Sequence, residues 1–236
     1  MLNEILASLN PQQKEAVTTT EGPVLILAGA GSGKTRALTH RLAYLVKIKN
    51  IPAENILAVT FTNKAAGEMK ERVGKLLNSK IPLPWLGTFH SICARILRKE
   101  LDYSDFKQNS RFTIYDTEDS TSAVKRAMKD LAITERFSPS AILSYISGAK
   151  NELLGPKQYQ QFALGRFAKT SAEVYWQYQK ILERANALDF DDLLMMTVKL
   201  FQAEPTILAK YQKLFRYILI DEYQDTNHSQ YVFSQL

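Results

Sequence analysis

The sequence of 236 residues contains a single cysteine, Cys93. One cysteine excludes an internal disulfide and a zinc site built from clustered cysteines. No run of about 18 apolar residues is present, so we expect no membrane span. The N-terminus lacks the basic and apolar regions of a signal peptide. These absences favour a reducing, cytoplasmic location, with Cys93 as a small apolar core residue.

The chain also lacks a block of basic residues, a low-complexity segment and an internal repeat. Lys and Arg number 30 against 24 Asp and Glu, a net charge of +6. A moderately basic chain is compatible with a polyanionic partner, although this indication is weak. The 45% of hydrophobic residues suffices for one large domain or two smaller ones.

Short apolar runs alternate with helical patterns at both ends of the chain. The pattern predicts buried strands in residues 23–28, 56–61, 83–89 and 217–220. Helices are predicted from residue 33 to about 48, and after residue 63, where Asn63 is a candidate N-cap. Alternating strands and helices are typical of an α/β domain with a parallel sheet.

The middle of the chain, residues 91–205, shows mainly helical spacing. The predicted helices there cover residues 117–132, 139–150 and 171–185, and only residues 112–115 indicate a strand. We therefore predict an α/β domain that is interrupted by a mainly helical insertion.

A glycine-rich stretch, AGAGSGKT at residues 28–35, lies between the first predicted strand and the first long helix. It matches the phosphate-binding pattern GxxxxGK[ST], except that Ala28 replaces the first glycine. Glycines allow a tight turn whose N–H groups point at phosphate oxygens. Lys34 is expected to reach the β- and γ-phosphates, and Thr35 to bind Mg²⁺. The predicted nucleotide-binding residues of this loop are Gly29, Ala30, Gly31, Ser32, Gly33, Lys34 and Thr35.

An acidic pair, Asp221 and Glu222, directly follows the last predicted strand. Ligands bind beyond the carboxyl ends of parallel strands, so the pair should lie at the same sheet edge as the phosphate loop. Asp221 would hold Mg²⁺ together with Thr35, and Glu222 would take a proton from an attacking water. We predict Lys34, Asp221 and Glu222 as the catalytic residues. A solvated acidic turn is the alternative.

Six segments resemble motifs of the UvrD/Rep/PcrA group of superfamily 1 DNA helicases, and they occur in the order of that family. The segments are LNPQQKEAV at 9–17, AGAGSGKT at 28–35, TFTNKAA at 60–66, GTFHS at 87–91, LDFDDL at 188–193 and DEYQDT at 221–226.

The resemblance implies an ATP- and Mg²⁺-dependent helicase that moves 3′ to 5′ on single-stranded DNA and unwinds duplexes in repair or replication. It implies a RecA-like domain 1A in residues 1–90 and 206–236, interrupted by domain 1B in residues 91–205. It also implies binding to junctions of single- and double-stranded DNA. The family's second RecA-like domain is missing, so the chain resembles an N-terminal fragment.

Individual roles follow from the same resemblance. Gln13 would read the adenine edge, Arg36 would lie near the nucleotide, and Gln224 would link the ATP site to neighbouring motifs. Phe61 would stack on a base, and the strand's path would be lined by Thr62, Asn63, Thr88 and His90. Each has an alternative: Gln13 as a surface helix residue, Phe61 as a core residue, His90 as a capping or buried histidine.

Three further groups of residues in the middle region invite a functional interpretation. Asp189, Asp191 and Asp192 resemble a metal cluster, but an acidic helix cap is favoured. The aromatic residues of 175–178 are interpreted as packing. The segment 150–152 is a candidate approach to DNA.

Two alternatives to a helicase motor remain. The first is a non-catalytic module that binds ATP and single-stranded DNA. The second is a P-loop nucleotide kinase, which Gln13 and the DEYQDT sequence argue against.

Overall fold

The computed structural model describes residues 5–29, 31–78, 82–134 and 137–236. Ala30, one of the predicted loop residues, lies outside them. The chain divides into two compact units: Met1–Ile92 with Ala209–Asp225, and Cys93–Leu208 with Thr226–Leu236. The assignment of residues 1–90 with 206–236 to domain 1A, and of 91–205 to domain 1B, stays a prediction.

The first unit contains a parallel sheet of three described strands. These are β1 (Ile56–Thr60), β2 (Leu86–Thr88) and β5 (Tyr217–Ile220), numbered along the chain, in the order β2-β1-β5. The central strand pairs Thr60 with Thr88 on one side and Val59 with Ile220 on the other. Because all three run in one direction, their carboxyl ends meet at one edge. The predicted parallel α/β sheet is confirmed.

The prediction of a buried strand at residues 23–28 is wrong. These residues have no regular secondary structure, and the exposed fractions of Leu25 and Leu27 are 67% and 85%. A strand needs a hydrogen-bonded neighbour, and none of the described strands pairs with this segment. Likewise, Ile218 of β5 was expected to be buried but is 44% exposed.

The helices α1 (Pro11–Thr18), α2 (Lys34–Lys47) and α3 (Asn63–Leu77) belong to this unit. Two more helices, α4 (Phe89–Glu100) and, later in the chain, α10 (Pro205–Leu214), lie partly in it. Leu42 of α2 and Met69 and Val73 of α3 lie in one core cluster with Ala58 of β1. The two predicted helices are thus confirmed, and both contribute to the core. The predicted cap of α3 is wrong by one residue, because Thr62 is the N-cap and Asn63 is the first helical residue.

The second unit is mainly helical. Its described elements are β3 (Thr113–Tyr115), α5 (Thr117–Asp130), α6 (Pro139–Asn151), α7 (Pro156–Phe162), α8 (Gly165–Arg184), β4 (Ala187–Asp189), α9 (Phe190–Ala203) and α11 (His228–Gln235). The predicted strand near residues 112–115 pairs in parallel with β4, which the sequence did not reveal. The helix predicted from residue 171 begins earlier, at Gly165.

The core of the second unit confirms the packing predicted for Cys93, Tyr175 and Tyr178, whereas Trp176 of the same aromatic group is 40% exposed. Val124, Ile146 and Tyr178 lie in one buried cluster contributed by α5, α6 and α8. Cys93 is fully buried, and burial raises the pKa of its thiol to about 12. Within the described part of the chain, no helix has the length and hydropathy needed to cross a membrane.

Candidate nucleotide site at the sheet edge

The glycine-rich loop turns sharply into α2. Gly31 and Gly33 have φ angles of 77° and 87°, a left-handed conformation that side chains disfavour. Gly33 is also the N-cap residue of α2. A Cβ atom at Gly33 would lie only 2.6 Å from Nε2 of Gln13. The backbone conformation therefore favours glycine at position 33, and a larger residue there would also displace the flexible Gln13 side chain.

The Lys34 ammonium lies across the loop itself. Its Nζ donates to the carbonyl oxygens of Ala28 at 3.1 Å and Gly29 at 3.5 Å. The Ser32 hydroxyl donates to the same Gly29 oxygen at 2.6 Å. A bound phosphate would replace these carbonyls with charged oxygens, which form stronger hydrogen bonds to an ammonium.

Thr35 and Asp221 meet at the sheet edge although they are 186 positions apart in the sequence. The Thr35 hydroxyl donates to Oδ2 of Asp221 at 3.4 Å. The backbone N–H of Asp221 donates to the Val59 carbonyl at 2.9 Å, which anchors the carboxylate to the central strand. The structure thus brings together the two residues predicted to bind Mg²⁺.

Asp221 is buried, with 7% of the residue exposed. Burial raises its pKa, and the negative charge of Glu222 raises it further, while the Thr35 hydroxyl and Lys34 act in the opposite direction. A nearby cation would favour the ionised form. A hydroxyl and a carboxylate are hard oxygen ligands that suit Mg²⁺, which usually takes its remaining ligands from water and nucleotide phosphates. The described residues contain no group of three or more His, Cys, Asp or Glu side chains that could hold a metal.

Glu222 adopts an unusual backbone conformation next to this carboxylate. Its φ angle is 49°, which a residue other than glycine seldom adopts. Nε2 of Gln224 donates to the Glu222 carboxylate at 2.7 Å, and the Asp225 N–H donates to the Glu222 carbonyl at 3.0 Å. Such strained residues cluster at functional sites. The role of Gln224 as a link to neighbouring motifs stays a prediction.

Gln13 contacts the phosphate loop directly. Its Nε2 donates to the Ser32 carbonyl at 3.0 Å, and its Oε1 accepts from the Asn10 N–H at 3.2 Å. Arg36 is directed elsewhere, because its guanidinium donates to the Ser8 carbonyl at 2.8 Å. The adenine contact of Gln13 and the nucleotide contact of Arg36 stay predictions.

A buried arginine that the sequence did not single out holds α1 in place. Arg41 is 6% exposed, and its guanidinium donates to the carbonyls of Ala16, at 2.6 Å, and Thr19. These carbonyls lie at the end of the helix that carries Gln13. No local pattern marks this contact, because the partners are more than twenty positions apart.

The residues predicted to bind DNA also lie at or just beyond the carboxyl ends of β1 and β2. Phe61 is half-buried, with its ring edge-on to the buried Phe89 at a centroid distance of 5.8 Å. The Thr62 hydroxyl accepts from the Ala65 N–H at 3.1 Å, so it caps α3. Asn63 is exposed. Stacking and packing both remain compatible with Phe61.

Thr88 and His90 are less exposed than we expected for residues that line the path of a DNA strand. Thr88 is 8% exposed, and its hydroxyl accepts from the Ser91 N–H at 3.2 Å. His90 is half-buried. The Thr88 hydroxyl thus caps the first turn of α4, and its contact with DNA stays a prediction.

In the second unit, Lys150 is fully buried, so the expectation that it approaches DNA is wrong. Its Nζ pairs with Asp189 at 2.6 Å and Asp192 at 2.8 Å. The preferred interpretation of the acidic group is confirmed, since Asp189 caps α9 in a capping box with Asp192. Between them, Phe190 is 46% exposed.

A parallel sheet, a glycine-rich loop leading into a helix, and an acidic residue at a strand end define a P-loop α/β protein. Residues 9–236 match the family model described as the UvrD/REP helicase N-terminal domain. The chain therefore belongs to that family, as the sequence motifs predicted.

Full-length relatives agree with this assignment. The chain is 50% identical over 231 residues to the ATP-dependent DNA helicase PcrA of Bacillus subtilis, which covers 98% of this chain and 31% of the relative. It is 49% identical to the protein of the same name from Staphylococcus aureus, over 100% of the chain and 32% of the relative. A PcrA from Leuconostoc citreum is 49% identical over 97% of the chain and 30% of the relative. The chain thus spans about a third of the length of these relatives.

Proposed function

We propose that this chain is the N-terminal part of an ATP-dependent DNA helicase, in which it binds MgATP and single-stranded DNA. The contact between Thr35 and Asp221 carries the proposal. It joins the helix after the phosphate loop to the strand end with the acidic pair, an arrangement that serves a nucleotide-bound metal.

The chemistry follows from the positions of the side chains. Lys34 and the loop N–H groups would bind the β- and γ-phosphates, and Thr35 and Asp221 would hold Mg²⁺. The metal would neutralise charge on the phosphates. Glu222, adjacent to Asp221, would orient a water and take its proton. When a nucleotide binds, the Gln13 side chain would give up its hydrogen bond to the Ser32 carbonyl and bind the adenine edge instead.

Single-stranded DNA would run across the carboxyl ends of β1 and β2. Phe61 offers a half-buried ring there, next to the exposed Asn63. Stacking on an aromatic ring accepts any base, as a motor without sequence preference requires. The net charge of +6 supports contact with phosphates.

The remaining elements of the proposal come from the family: 3′ to 5′ translocation, action at junctions of single- and double-stranded DNA, and a role in repair or replication. We also propose that the active enzyme includes a second RecA-like domain. Two observations support this: the chain matches only about a third of its relatives' length, and the apolar residues Leu25 and Leu27 are exposed beside the loop.

Steady-state ATP hydrolysis tests this proposal. An arginine that reaches the γ-phosphate is worth on the order of 10³–10⁵ in rate, and the guanidinium of Arg36 is engaged by the Ser8 carbonyl. We therefore expect the 236-residue chain to hydrolyse ATP very slowly, and the full-length protein to be strongly stimulated by single-stranded DNA. If the chain alone shows stimulated turnover within about tenfold of the longer protein, the proposed contribution of a second domain is wrong.

The Arg36 guanidinium is bonded to the Ser8 carbonyl and is directed away from the nucleotide site. This observation favours a second candidate function for the chain by itself. In isolation it would be a non-catalytic module that binds ATP and single-stranded DNA. Nucleotide binding without measurable turnover, in the same assays, would identify that behaviour.

A further inference from the structure

The helix that carries Gln13 has little apolar anchoring of its own. Of the eight residues of α1, Val17 alone is buried. A helix of this length is marginal in water without tertiary contacts. The capping box formed by Asn10 and Gln13 satisfies N–H groups at the start of α1, but it does not attach the helix to the rest of the unit. The position of Gln13 therefore depends in part on polar contacts between α1 and its surroundings.

Arg41 of α2 supplies such a contact at the far end of α1. Its guanidinium donates to the carbonyls of Ala16, at 2.6 Å, and Thr19. The last carbonyls of a helix lack partners within the helix and carry the negative end of its dipole, so a cation that donates two hydrogen bonds satisfies them and balances the dipole. Gln13 lies three residues before Ala16, which is about 4.5 Å along a helix axis. A shift of this end of α1 would therefore move Gln13 as well.

The charge of Arg41 is costly in this position. The residue is buried, and burial lowers the pKa of its guanidinium, while the nearby Tyr217 raises it. Within the described ranges of the chain, no carboxylate forms an ion pair with Arg41. Burying a charge costs much less when hydrogen bonds satisfy it. The carbonyls of α1 provide these hydrogen bonds, so the helix and Arg41 stabilise each other.

Two further side chains of α2 bind the segment that leads into α1. The Arg36 guanidinium donates to the Ser8 carbonyl at 2.8 Å. Nδ1 of His40 lies 2.6 Å from the Ile5 carbonyl oxygen, and because a carbonyl only accepts, this nitrogen carries the proton. Residues 5–19 are thus attached to α2 by hydrogen bonds from three of its side chains.

The same helix also carries the groups predicted to bind phosphates. Lys34 and Thr35 begin α2, and Arg41 lies seven residues after Lys34. One rigid helix therefore joins the phosphate site to the support of the residue predicted to read the base. The base and the phosphates belong to one ligand, so their binding groups need a fixed separation. Gln13 already lies beside the loop, since its Nε2 donates to the Ser32 carbonyl at 3.0 Å.

We propose that Arg41 is a positioning residue for adenine recognition: from α2 it holds α1 so that Gln13 faces the base of a nucleotide whose phosphates occupy the loop. The inference rests on the proposed function, because it assumes that Gln13 reads the adenine edge. An amide can donate to N7 of adenine and accept from its N6 amine, whereas guanine presents two acceptors at these positions.

The proposed role predicts a selective defect. Arg41 touches neither the base nor the phosphates, and all the residues involved belong to the first unit. Loss of the Arg41 contacts should therefore weaken the choice of base and spare the binding of phosphates. A residue that merely stabilised the unit would affect both.

Substitutions of Arg41 separate its hydrogen bonds from its bulk. Arg41→Met keeps a long unbranched side chain and removes both donors. Arg41→Lys keeps the charge but not the planar fork that reaches two carbonyls at once, so we expect an intermediate effect. The control is Arg72→Met on α3, which removes an exposed guanidinium paired with Glu68 at 3.0 Å. Circular dichroism and urea denaturation would establish that each variant is folded.

The experiment is calorimetric titration of the 236-residue chain with ATP, GTP and inorganic tripolyphosphate, each with Mg²⁺. We expect the unmodified chain and Arg72→Met to prefer ATP over GTP about tenfold, toward the lower end for an amide that pairs with adenine. This preference should fall to about twofold in Arg41→Met and about fourfold in Arg41→Lys, as the amide pair is lost or misaligned. The affinity for tripolyphosphate, which has no base, should be the same in all four proteins.

A double-mutant cycle shows whether Arg41 acts through Gln13. Gln13→Ala should by itself abolish the preference for ATP. Arg41→Met should lower the affinity for ATP about fivefold in the unmodified chain, but not in the Gln13→Ala background, because both residues serve one contact. If Arg41→Met does not fold, Arg41→Lys takes its place in the cycle, with a loss of about 2.5-fold expected.

Three outcomes would overturn the inference. If the Arg41 variant keeps the preference for ATP while Gln13→Ala loses it, Arg41 does not position Gln13, and the proposed function stands without it. An equal loss of affinity for ATP, GTP and tripolyphosphate would reduce Arg41 to a general stabiliser of the unit. If Gln13→Ala keeps the preference, or the unmodified chain shows none, the reading of adenine by Gln13 fails and this inference fails with it.

Discussion

Two acidic sequences of this chain, DEYQD at residues 221–225 and DFDD at 189–192, resemble each other but have opposite surroundings. Asp221 lies at a sheet edge, contacts a hydroxyl, and is followed by a half-buried Glu222. Asp189 and Asp192 are buried, and both pair with the Lys150 ammonium. The first pair is available to a ligand cation, whereas the second already has a cation from the protein.

This difference shows how one protein can use carboxylates for function and for structure. Burial raises the pKa of Asp221, and among the residues that the structure describes no ammonium group forms an ion pair with it, so a metal ion would be a favourable partner. For Asp189, burial has the same tendency, but the charge of Lys150 holds the pKa below its ordinary value. An acidic cluster is therefore a candidate metal site only where the protein does not supply its own cation.

Removing the internal cation should produce the largest effect. Lys150→Ala leaves Asp189 and Asp192 buried without a counter-charge, and we expect it to destabilise the second unit by about 3–5 kcal/mol. Urea denaturation measures this change. Lys157→Ala, at an exposed position of α7, is the control and should change stability by less than about 0.5 kcal/mol. Equal stability of the two variants would contradict a structural role for Lys150.

The same buried cluster of Lys150, Asp189 and Asp192 should make the stability of the second unit depend on pH. Burial, and then the charge of Asp189, raise the pKa of Asp192 to about 7. A carboxyl group whose pKa is raised on folding binds more protons in the folded state, so its contribution to stability falls as pH rises from about 4 to about 7. Asp192→Asn should remove this decline from the denaturation curves. A decline of the same size in the variant would assign it to other groups.

The same two regions show which features the sequence could predict and which it could not. The phosphate loop and the acidic strand end were identified because each is a contiguous motif, and the acidic cap of α9 because capping is local. The strand at 23–28 was wrong because an apolar run does not reveal whether a neighbouring strand will pair with it. The ion pairs of Lys150 and the carbonyl contacts of Arg41 were missed because the partners are distant in sequence and obey no periodic pattern.

A substitution of Phe61 tests the function proposed for the sheet edge. If its ring stacks on a base, Phe61→Ala should weaken binding to single-stranded DNA by about 1–3 kcal/mol. The control is Phe162→Ala, which removes a 67% exposed ring from α7 of the second unit. Fluorescence anisotropy with labelled oligonucleotides at several salt concentrations distinguishes the two. Unchanged affinity for Phe61→Ala would identify the ring as a packing residue.

Thr62 should show the smallest effect. Because its hydroxyl caps α3, Thr62→Ala is expected to cost about 1 kcal/mol of stability, whereas Thr62→Ser should retain the cap. Thermal denaturation compares the two variants. A loss of DNA affinity in Thr62→Ala at unchanged stability would instead support the contact with DNA that the family implies.

The most direct test of the account is calorimetric titration of the chain with a non-hydrolysable ATP analogue, with and without Mg²⁺. We predict Mg²⁺-dependent binding that Lys34→Ala abolishes and that loses its dependence on Mg²⁺ in Asp221→Asn. Asp225→Asn, which changes an exposed carboxylate four residues away, and Lys49→Ala, beyond the far end of α2, should bind like the unmodified chain. Equal binding by Lys34→Ala, or the same Mg²⁺ dependence in Asp221→Asn, would contradict the assignment of the sheet edge as the MgATP site.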